Sequence, residues 1–333
     1  IGWCDWSSDV CSSDLLLAAS YVFYGAWDWR FLGLIWFVTL VSYIAGLIIG
    51  RSASPAKRRG ALAAAVATCL LLLGFFKYCN FFTLSFARVL SFLGLSASLP
   101  TLSIILPVGI SFYTFQALGY VIDVYRRRHE PESDLWLFAL YVAYFPQLVA
   151  GPIERADNLI PALRKKRTVS RSDIAMGLEL MLIGYLRKIV IADAVAPLVN
   201  QCFTAPEQLG GFNLLLGLYL FAIQIYGDFC GYSDIARGVS KLMGIDLMVN
   251  FRQPYFATSI REFWRRWHIS LSSWLRDYLY IPLGGNRGGT AKMLRNLMLT
   301  MLLGGLWHGA NWTFVIWGGL HGLYLSADRL LHG

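Results

Sequence analysis

Residues 302–322 read LLGGLWHGANWTFVIWGGLHG, two strongly apolar runs that meet at His308. An ionisable side chain between apolar runs lies at membrane depth, where it is costly to hold and usually functional. Gly304, Gly305 and Gly309 allow another backbone or a substrate to approach the helix closely. The stretch therefore predicts membrane segments around a candidate active-site histidine, although His308 could instead be a structural hydrogen bonder between helices.

The composition of the whole chain is that of a membrane protein. Of 333 residues, 56% are hydrophobic and 15% charged, and the mean hydropathy is +0.52, whereas a soluble domain carries about 25% charged residues. This composition excludes a disordered or fibrous chain. We predict an all-α, polytopic integral membrane protein with about 8–11 membrane segments. The apolar segments are 15–27, 31–50, 61–76, 80–95, 103–123, 135–150, 175–199, 212–227, 291–307 and 312–326.

The basic residues, which give a net charge of +9, cluster in short loops at 51–59, 126–128 and 164–167. This placement is typical of cytoplasmic loops in membrane proteins, and no basic helix indicates nucleic-acid binding. Segment 135–150 is short and contains Pro146, so we predict that it re-enters the membrane and leaves the two loops around it cytoplasmic. The side on which the 51–59 loop lies stays open.

The two ends of the chain differ in character from the rest. Residues 1–14 are polar and rich in Ser and Asp, and they change abruptly into an apolar run at Leu15. They lack the features of a signal peptide, and we expect them to be a non-native segment that resembles translated sequencing adapter. We expect residues 15–333 to form a single membrane domain that is truncated at both ends.

The segment 260–280, IREFWRRWHISLSSWLRDYLY, has the pattern of one amphipathic helix. Aromatic and aliphatic side chains fall on one face and cations on the other, with His268 at the edge of the apolar face. Such a helix could anchor at the membrane interface or also form a wall of an active-site funnel. The glycine-rich loop at 284–289 that follows is either a plain turn or a phosphate cradle.

The sequence offers few alternatives to a histidine as the reactive group. It contains no CxxC pair, HExxH motif or nucleophile elbow that would indicate a metal site or a covalent serine intermediate. On one unbroken helix, His321 would lie nearly opposite His308 and about 19 Å away, so we expect the two not to pair and His321 to be structural. A neutral histidine can act as a general base for a hydroxyl group that attacks an activated acyl carbonyl.

Five blocks of the sequence resemble the membrane-bound O-acyltransferase (MBOAT) family. The blocks are LPVGISFYTFQALGYVIDVYR (106–126), YFPQLVAGPIERADNL (144–159), GYSDIARGVSKLMGI (231–245), FWRRWHISLSSWLRDYLYIPLGGNR (263–287) and LLGGLWHGANWTFVIWGGLHG (302–322). The resemblance implies an MBOAT-like ring of transmembrane and re-entrant helices around a funnel. It also implies that His308 is the catalytic histidine and that His268 occupies a second polar position. The expected substrate-binding residues beside them are Arg266, Trp267, Trp307 and Asn311.

The resemblance further implies an O-acetyltransferase of the bacterial inner membrane, with no tightly bound cofactor and no bound metal. The donor would be a cytoplasmic thioester, acetyl-CoA, and the acceptor an exported polysaccharide such as alginate, reached directly or through periplasmic partner proteins. D-alanyl transfer to teichoic acid is the alternative within the family. A transporter or a non-catalytic scaffold of a polysaccharide secretion complex is the alternative outside it, although no internal inverted repeat supports a transporter.

Overall fold

The structure is a computed structural model that describes residues 9–95 and 101–332, with side chains from Ser13 onward. The described part is mostly helical and contains no strand, so the predicted all-α class is confirmed. The helices are α1 (Asp9–Asp28), α2 (Leu32–Arg51), α3 (Pro55–Leu73), α4 (Cys79–Phe92), α5 (Ile110–Tyr125), α6 (Leu135–Ala143), α7 (Phe145–Leu148), α8 (Ala156–Arg164), α9 (Arg171–Tyr185), α10 (Ala194–Thr204), α11 (Gly211–Leu242), α12 (Ile260–Arg266), α13 (Ile269–Leu275), α14 (Thr290–His308) and α15 (Trp312–His332).

Of the segment predicted to be non-native, residues 1–8 lie outside the described residues, while 9–14 belong to α1. The origin of residues 1–14 and the extent of the membrane domain therefore stay predictions.

Three helical runs of the described chain are long and apolar enough to cross a membrane: Ser13–Arg51, Pro55–Phe92 and Gly211–Leu242. The predicted segments 61–76 and 80–95 belong to a single run, because a π-helical turn at Gly74–Tyr78 joins α3 to α4 without interrupting the helix. The predicted segment 212–227 likewise continues as helix to Leu242.

The segment predicted to re-enter the membrane is broken in the structure. The α6 helix has nine residues, about 14 Å of helix, and the chain turns at Tyr144 before the four-residue α7. Polar side chains satisfy the backbone groups that the break exposes: Gln116 Nε2 donates to the Tyr141 carbonyl at 2.6 Å, and the Phe145 N–H donates to Ser20 Oγ at 3.2 Å. A broken helix at membrane depth needs such internal partners.

The three basic loops lie side by side. Arg58 Nη2, at the start of α3, donates to the Tyr125 carbonyl at the end of α5 at 2.7 Å, and Arg164 forms an ion pair with Glu132. The 51–59 loop, whose side the sequence leaves open, is therefore on the same face as the other two. A common face for all basic loops is the distribution that cytoplasmic loops show.

We expect single cysteines at Glu130 and Val169, each in a cysteine-free background, to react with a membrane-impermeant maleimide from the same side of the membrane. Both positions are exposed, and the Glu132–Arg164 ion pair holds their loops together. Labelling would be compared in intact spheroplasts and inverted vesicles, and both sites should react only in the inverted vesicles. Labelling from opposite faces would show that residues 135–150 cross the membrane.

The α5 helix lies at the centre of the core, with Tyr113, Ala117 and Tyr120 almost completely buried. It packs against α2, α3 and α6, and the indole of Trp274 stacks on Phe115 with 4.0 Å between ring centroids. The Trp274 Nε1–H donates to the Phe115 carbonyl at 2.9 Å. The segment around α13 is thereby fixed to the core of the protein.

Candidate active site

The predicted amphipathic helix at 260–280 is not one helix. The α12 helix ends at Arg266, His268 takes a left-handed conformation with φ of 42°, and α13 begins at Ile269. The extended segment 250–252 accounts for the break, because the Arg252 N–H donates to the Arg266 carbonyl at 3.0 Å and the Ile269 N–H donates to the Asn250 carbonyl at 2.9 Å. These bonds replace helical ones and turn His268 inward.

His268 is therefore buried, with 1% of its surface exposed, and not at the edge of an apolar face. The Ser270 backbone N–H and hydroxyl donate to Asn250 Oδ1 at 3.2 and 2.8 Å, which assigns the orientation of that amide. His268 Nδ1 lies 3.3 Å from the same oxygen, so Nδ1 carries the hydrogen and Nε2 presents a lone pair. His268 Nε2 has no partner among the described residues.

His308 is the last residue of α14. The chain leaves the helix at Gly309 in an extended conformation, and Asn311 caps α15 by accepting the Thr313 N–H on Oδ1 at 3.0 Å. This capping use of the Asn311 side chain is the one that asparagine typically has at a helix start. The reversal between α14 and α15 leaves the His308 imidazole at a turn inside the helix bundle.

The two histidines of the candidate site are neighbours, with 6.4 Å between their ring centroids. The Trp307 indole contacts both imidazoles, at 6.0 Å from His268 and 5.0 Å from His308. A second indole, that of Trp317, also contacts His308. Its ring centroid lies 5.3 Å from that of His308 and 4.6 Å from that of His321.

His308 and His321 do not lie on one unbroken helix, since α14 ends at His308 and α15 begins at Trp312 and folds back along it. His321 is nevertheless not in the cavity described next, and an indole separates it from His308.

A cavity of about 470 Å³ joins His308 to a group of arginines. One face of α12 lines it with Arg261, Trp264 and Arg265, which follow the i, i+3, i+4 spacing of a helix face. Arg276 and Arg329 line it from the neighbouring elements. Arg261 is paired with Asp328 at 2.9 Å and Arg276 with Asp277 at 2.8 Å, whereas within the described chain no carboxylate forms an ion pair with Arg265 or Arg329.

The four residues expected to bind substrate lie beside this cavity but do not line it. Arg266 pairs with Glu262 at 2.5 Å, and Trp267 is buried against Phe251 and Phe263. Trp307 packs against both histidines, and Asn311 caps α15. On α12 the face that lines the cavity is that of Arg261, Trp264 and Arg265, and Arg266 lies off this face.

The loop at 284–289 is a turn in which all four glycines have positive φ. Asn286 is its one residue that lines the cavity. Among the described residues, no three His, Cys, Asp or Glu side chains come together as a group that could hold a metal ion.

Two buried polar residues and one half-buried lysine around the site had not been predicted. Asn250 orients His268, and Glu154 Oε1 accepts the Met248 N–H at 2.5 Å, which ties the segment leading to Asn250 to the loop before α8. Burial raises the pKa of Glu154 to about 7. Lys77 is the third, and its Nζ donates to Ser111 Oγ at 3.0 Å and to the Trp307 carbonyl.

The sequence held a signal for only one of these three. The stretch GFFKYCN contains a lysine between two apolar runs, with neither Gly nor Pro after it before Gly94, which is the pattern of a charge inside a continuous membrane helix.

The helical membrane fold and the histidine beside an arginine-lined cavity agree with the class of protein that the motifs indicate. The family model "MBOAT, membrane-bound O-acyltransferase family" matches residues 132–332, and the chain belongs to this family. The resemblance noted from the sequence is thereby confirmed.

Curated relatives carry related names. A probable alginate O-acetylase of Azotobacter vinelandii is 48% identical over 320 residues, which are 95% of this chain and 63% of the relative. A peptidoglycan O-acetyltransferase of Helicobacter pylori is 37% identical over 340 residues, 94% of this chain and 64% of the relative. A teichoic acid D-alanyltransferase of Streptococcus thermophilus is 31% identical over 233 residues, which are 66% of this chain and 55% of the relative. The chain thus spans less than two thirds of the length of each.

Proposed function

We propose that this protein transfers an acetyl group from a cytoplasmic thioester to a hydroxyl group of an exported polysaccharide, with His308 as the general base. The observation that carries the proposal is the single cavity that His308 shares with four arginines. The base would thereby lie in the same cavity as groups that bind phosphate. The names of the relatives support an acetyl group and an acceptor of the alginate type.

In the proposed reaction, the His308 imidazole takes the proton of the acceptor hydroxyl while the hydroxyl oxygen attacks the thioester carbonyl carbon. The new C–O bond forms, the C–S bond breaks, and the imidazolium returns the proton to the leaving thiolate. His268 Nε2 offers a buried lone pair that has no partner among the described residues. The centroid of the His268 ring lies 6.4 Å from that of His308. An acceptor hydroxyl or an ordered water between the rings would satisfy this lone pair.

The arginines favour a donor that carries phosphate groups, and we propose acetyl-CoA. Guanidinium groups bind phosphate oxygens through paired, charge-assisted hydrogen bonds. Arg265 and Arg329 are available for this, since no carboxylate of the described chain forms an ion pair with them. The basic loops share one face, which suggests that this face is cytoplasmic. The protein would then lie in the bacterial inner membrane. The acceptor, or periplasmic partner proteins, would be on the opposite side.

The alternative functions remain distinguishable. D-alanyl transfer to teichoic acid is supported by the relative from Streptococcus thermophilus, although its identity to this chain is lower. A transporter or scaffold would need neither a base nor a phosphate site, and transfer of label from acetyl-CoA would contradict both.

The donor site can be tested with the complete protein in membranes, supplied with radiolabelled acetyl-CoA and polysaccharide. We expect Arg265→Gln and Arg329→Gln each to raise the KM for acetyl-CoA roughly 10-fold, because one charge-assisted hydrogen-bonding group is lost. Arg171→Gln is the matched control, since Arg171 is exposed at the start of α9, outside the cavity, and should change nothing. An unchanged KM in both cavity variants would contradict the donor site, and the use of a D-alanyl donor instead would favour the alternative.

A further inference from the structure

Lys77 is a cation inside a membrane-crossing helix. It belongs to the run Pro55–Phe92, in which the nearest charged residues are Arg59 and Arg88, roughly 27 Å and 16 Å away along a helix with a rise of 1.5 Å per residue. A charge so far from both ends of an apolar helix is expensive, and such residues as a rule have a specific partner and a function. The MBOAT reaction as proposed above leaves Lys77 without a role.

The partners of Lys77 are at the end of the helix that carries His308. Its Nζ donates to the Trp307 carbonyl and to Ser111 Oγ of α5, while the adjacent Tyr78 hydroxyl donates to the Leu306 carbonyl at 2.9 Å. Carbonyls in the last turn of a helix lack partners within the helix, and this end carries the negative pole of the helix dipole. The turn that supplies both donors is the π-helical segment Gly74–Tyr78, a distortion that is frequent at functional sites.

Lys77 contacts Trp307 a second time, since its ammonium lies 5.4 Å from the centroid of the Trp307 ring. The same ring packs against His308 at 5.0 Å and against His268 at 6.0 Å. A cation over an indole is attracted by the ring, and more so where water is excluded. One ammonium group thereby holds both the backbone and the ring of the residue that precedes His308.

The His308 imidazole has no hydrogen-bond partner of its own within the part of the chain that the structure describes. His268 differs, because Asn250 fixes its ring. The orientation of His308 therefore depends on the backbone at the end of α14 and on the indoles beside it.

We propose that Lys77 is the positioning residue of His308, holding the last turn of α14 and the Trp307 ring so that the imidazole is directed into the cavity. The proposal rests on the proposed function, because it assigns Lys77 to the step in which His308 acts as base. A displaced base lowers the rate of the chemical step and leaves donor binding at the arginines unchanged.

The test compares Lys77→Met, Lys77→Gln and Lys77→Arg in the complete protein, each normalised to the amount in the membrane. We expect Lys77→Met to lower kcat about 10–100-fold and to leave the KM for acetyl-CoA within about twofold. Lys77→Arg, which keeps the charge and the donors, should recover most of this loss. The matched control is Tyr78→Phe, which removes a neutral donor to the neighbouring carbonyl and should cost only a few-fold.

A double variant separates positioning of His308 from general support of the fold. Adding Lys77→Met to His308→Ala should give no further loss of activity, since residues that act as a unit are not additive. A wild-type kcat in Lys77→Met would overturn the role of Lys77, and Lys77→Gln would decide the question if the Met variant does not accumulate. In that case an inactive His308→Ala would still leave the proposed function standing. Near-normal activity in His308→Ala would instead overturn the proposed function itself.

Discussion

His308→Ala in the complete protein should lose at least about 100-fold in acetyl transfer while accumulating normally in the membrane. Removal of a general base typically costs 10²–10⁴-fold, and His308 is the histidine that lines the arginine cavity. Acetyl transfer would be measured as label incorporated from acetyl-CoA into polymer, and membrane abundance by immunoblotting.

The other histidines provide graded controls for this prediction. His268→Ala should lose less than His308→Ala, because His268 does not line the cavity and, in the proposed mechanism, only orients the hydroxyl. His321→Ala should be milder still, since Trp317 separates His321 from His308. Poor accumulation of His308→Ala would indicate a residue that bonds two helices, and near-normal acetylation by this variant would contradict the mechanism.

Gly318→Ala should prevent normal assembly of the protein, because α14 and α15 are in backbone contact at this point. A Cβ at Gly318 would lie 2.3 Å from the Met301 carbonyl oxygen and 3.1 Å from the Gly305 Cα. Backbone atoms cannot give way as a side chain can, so we expect destabilisation of about 3 kcal/mol or more, at the upper end of overpacking effects. The loss would be measured by heating the detergent-purified protein to a series of temperatures and recording how much of the monodisperse gel-filtration peak remains after each.

The neighbouring glycine is a matched control for this substitution. A Cβ at Gly319 would meet only Leu302 Cδ2, at the ordinary contact distance of 3.4 Å. Gly319→Ala should therefore unfold within a few degrees of the wild-type protein. Equal stability of the two variants would contradict the close approach of α14 and α15.

Features that depend on local sequence could be predicted well. The apolar composition predicted the helical membrane class. The short segment around Pro146, predicted to re-enter the membrane, is a broken helix, and its re-entry stays a prediction. The choice of His308 as the central residue needed only its apolar surroundings, because few ionisable side chains occur there. The structure places it in the arginine-lined cavity, while its chemical role stays a prediction.

Features that depend on distant contacts could not be predicted. The helical periodicity of 260–280 gave no indication of the break at Trp267–His268, because the bonds that stabilise it come from residues 250–252. The same break lies directly after Arg266, and the structure lines the cavity with Trp264 and Arg265, whereas Arg266 and Trp267 had been expected to bind substrate. Lys77 was overlooked for a related reason, since a π-helical turn makes one helix out of what looked like two segments.

The left-handed backbone at His268 also bears on how this position can change over generations. At a φ of 42°, Asn and Asp are tolerated better than other non-glycine residues, and β-branched residues are strained. Asn and Asp codons are each a single nucleotide away from those of histidine, whereas alanine and glycine codons are two away. Among the residues that one nucleotide change can introduce here, Asn and Asp keep both the turn and a polar side chain, so loss of the imidazole need not entail loss of the fold.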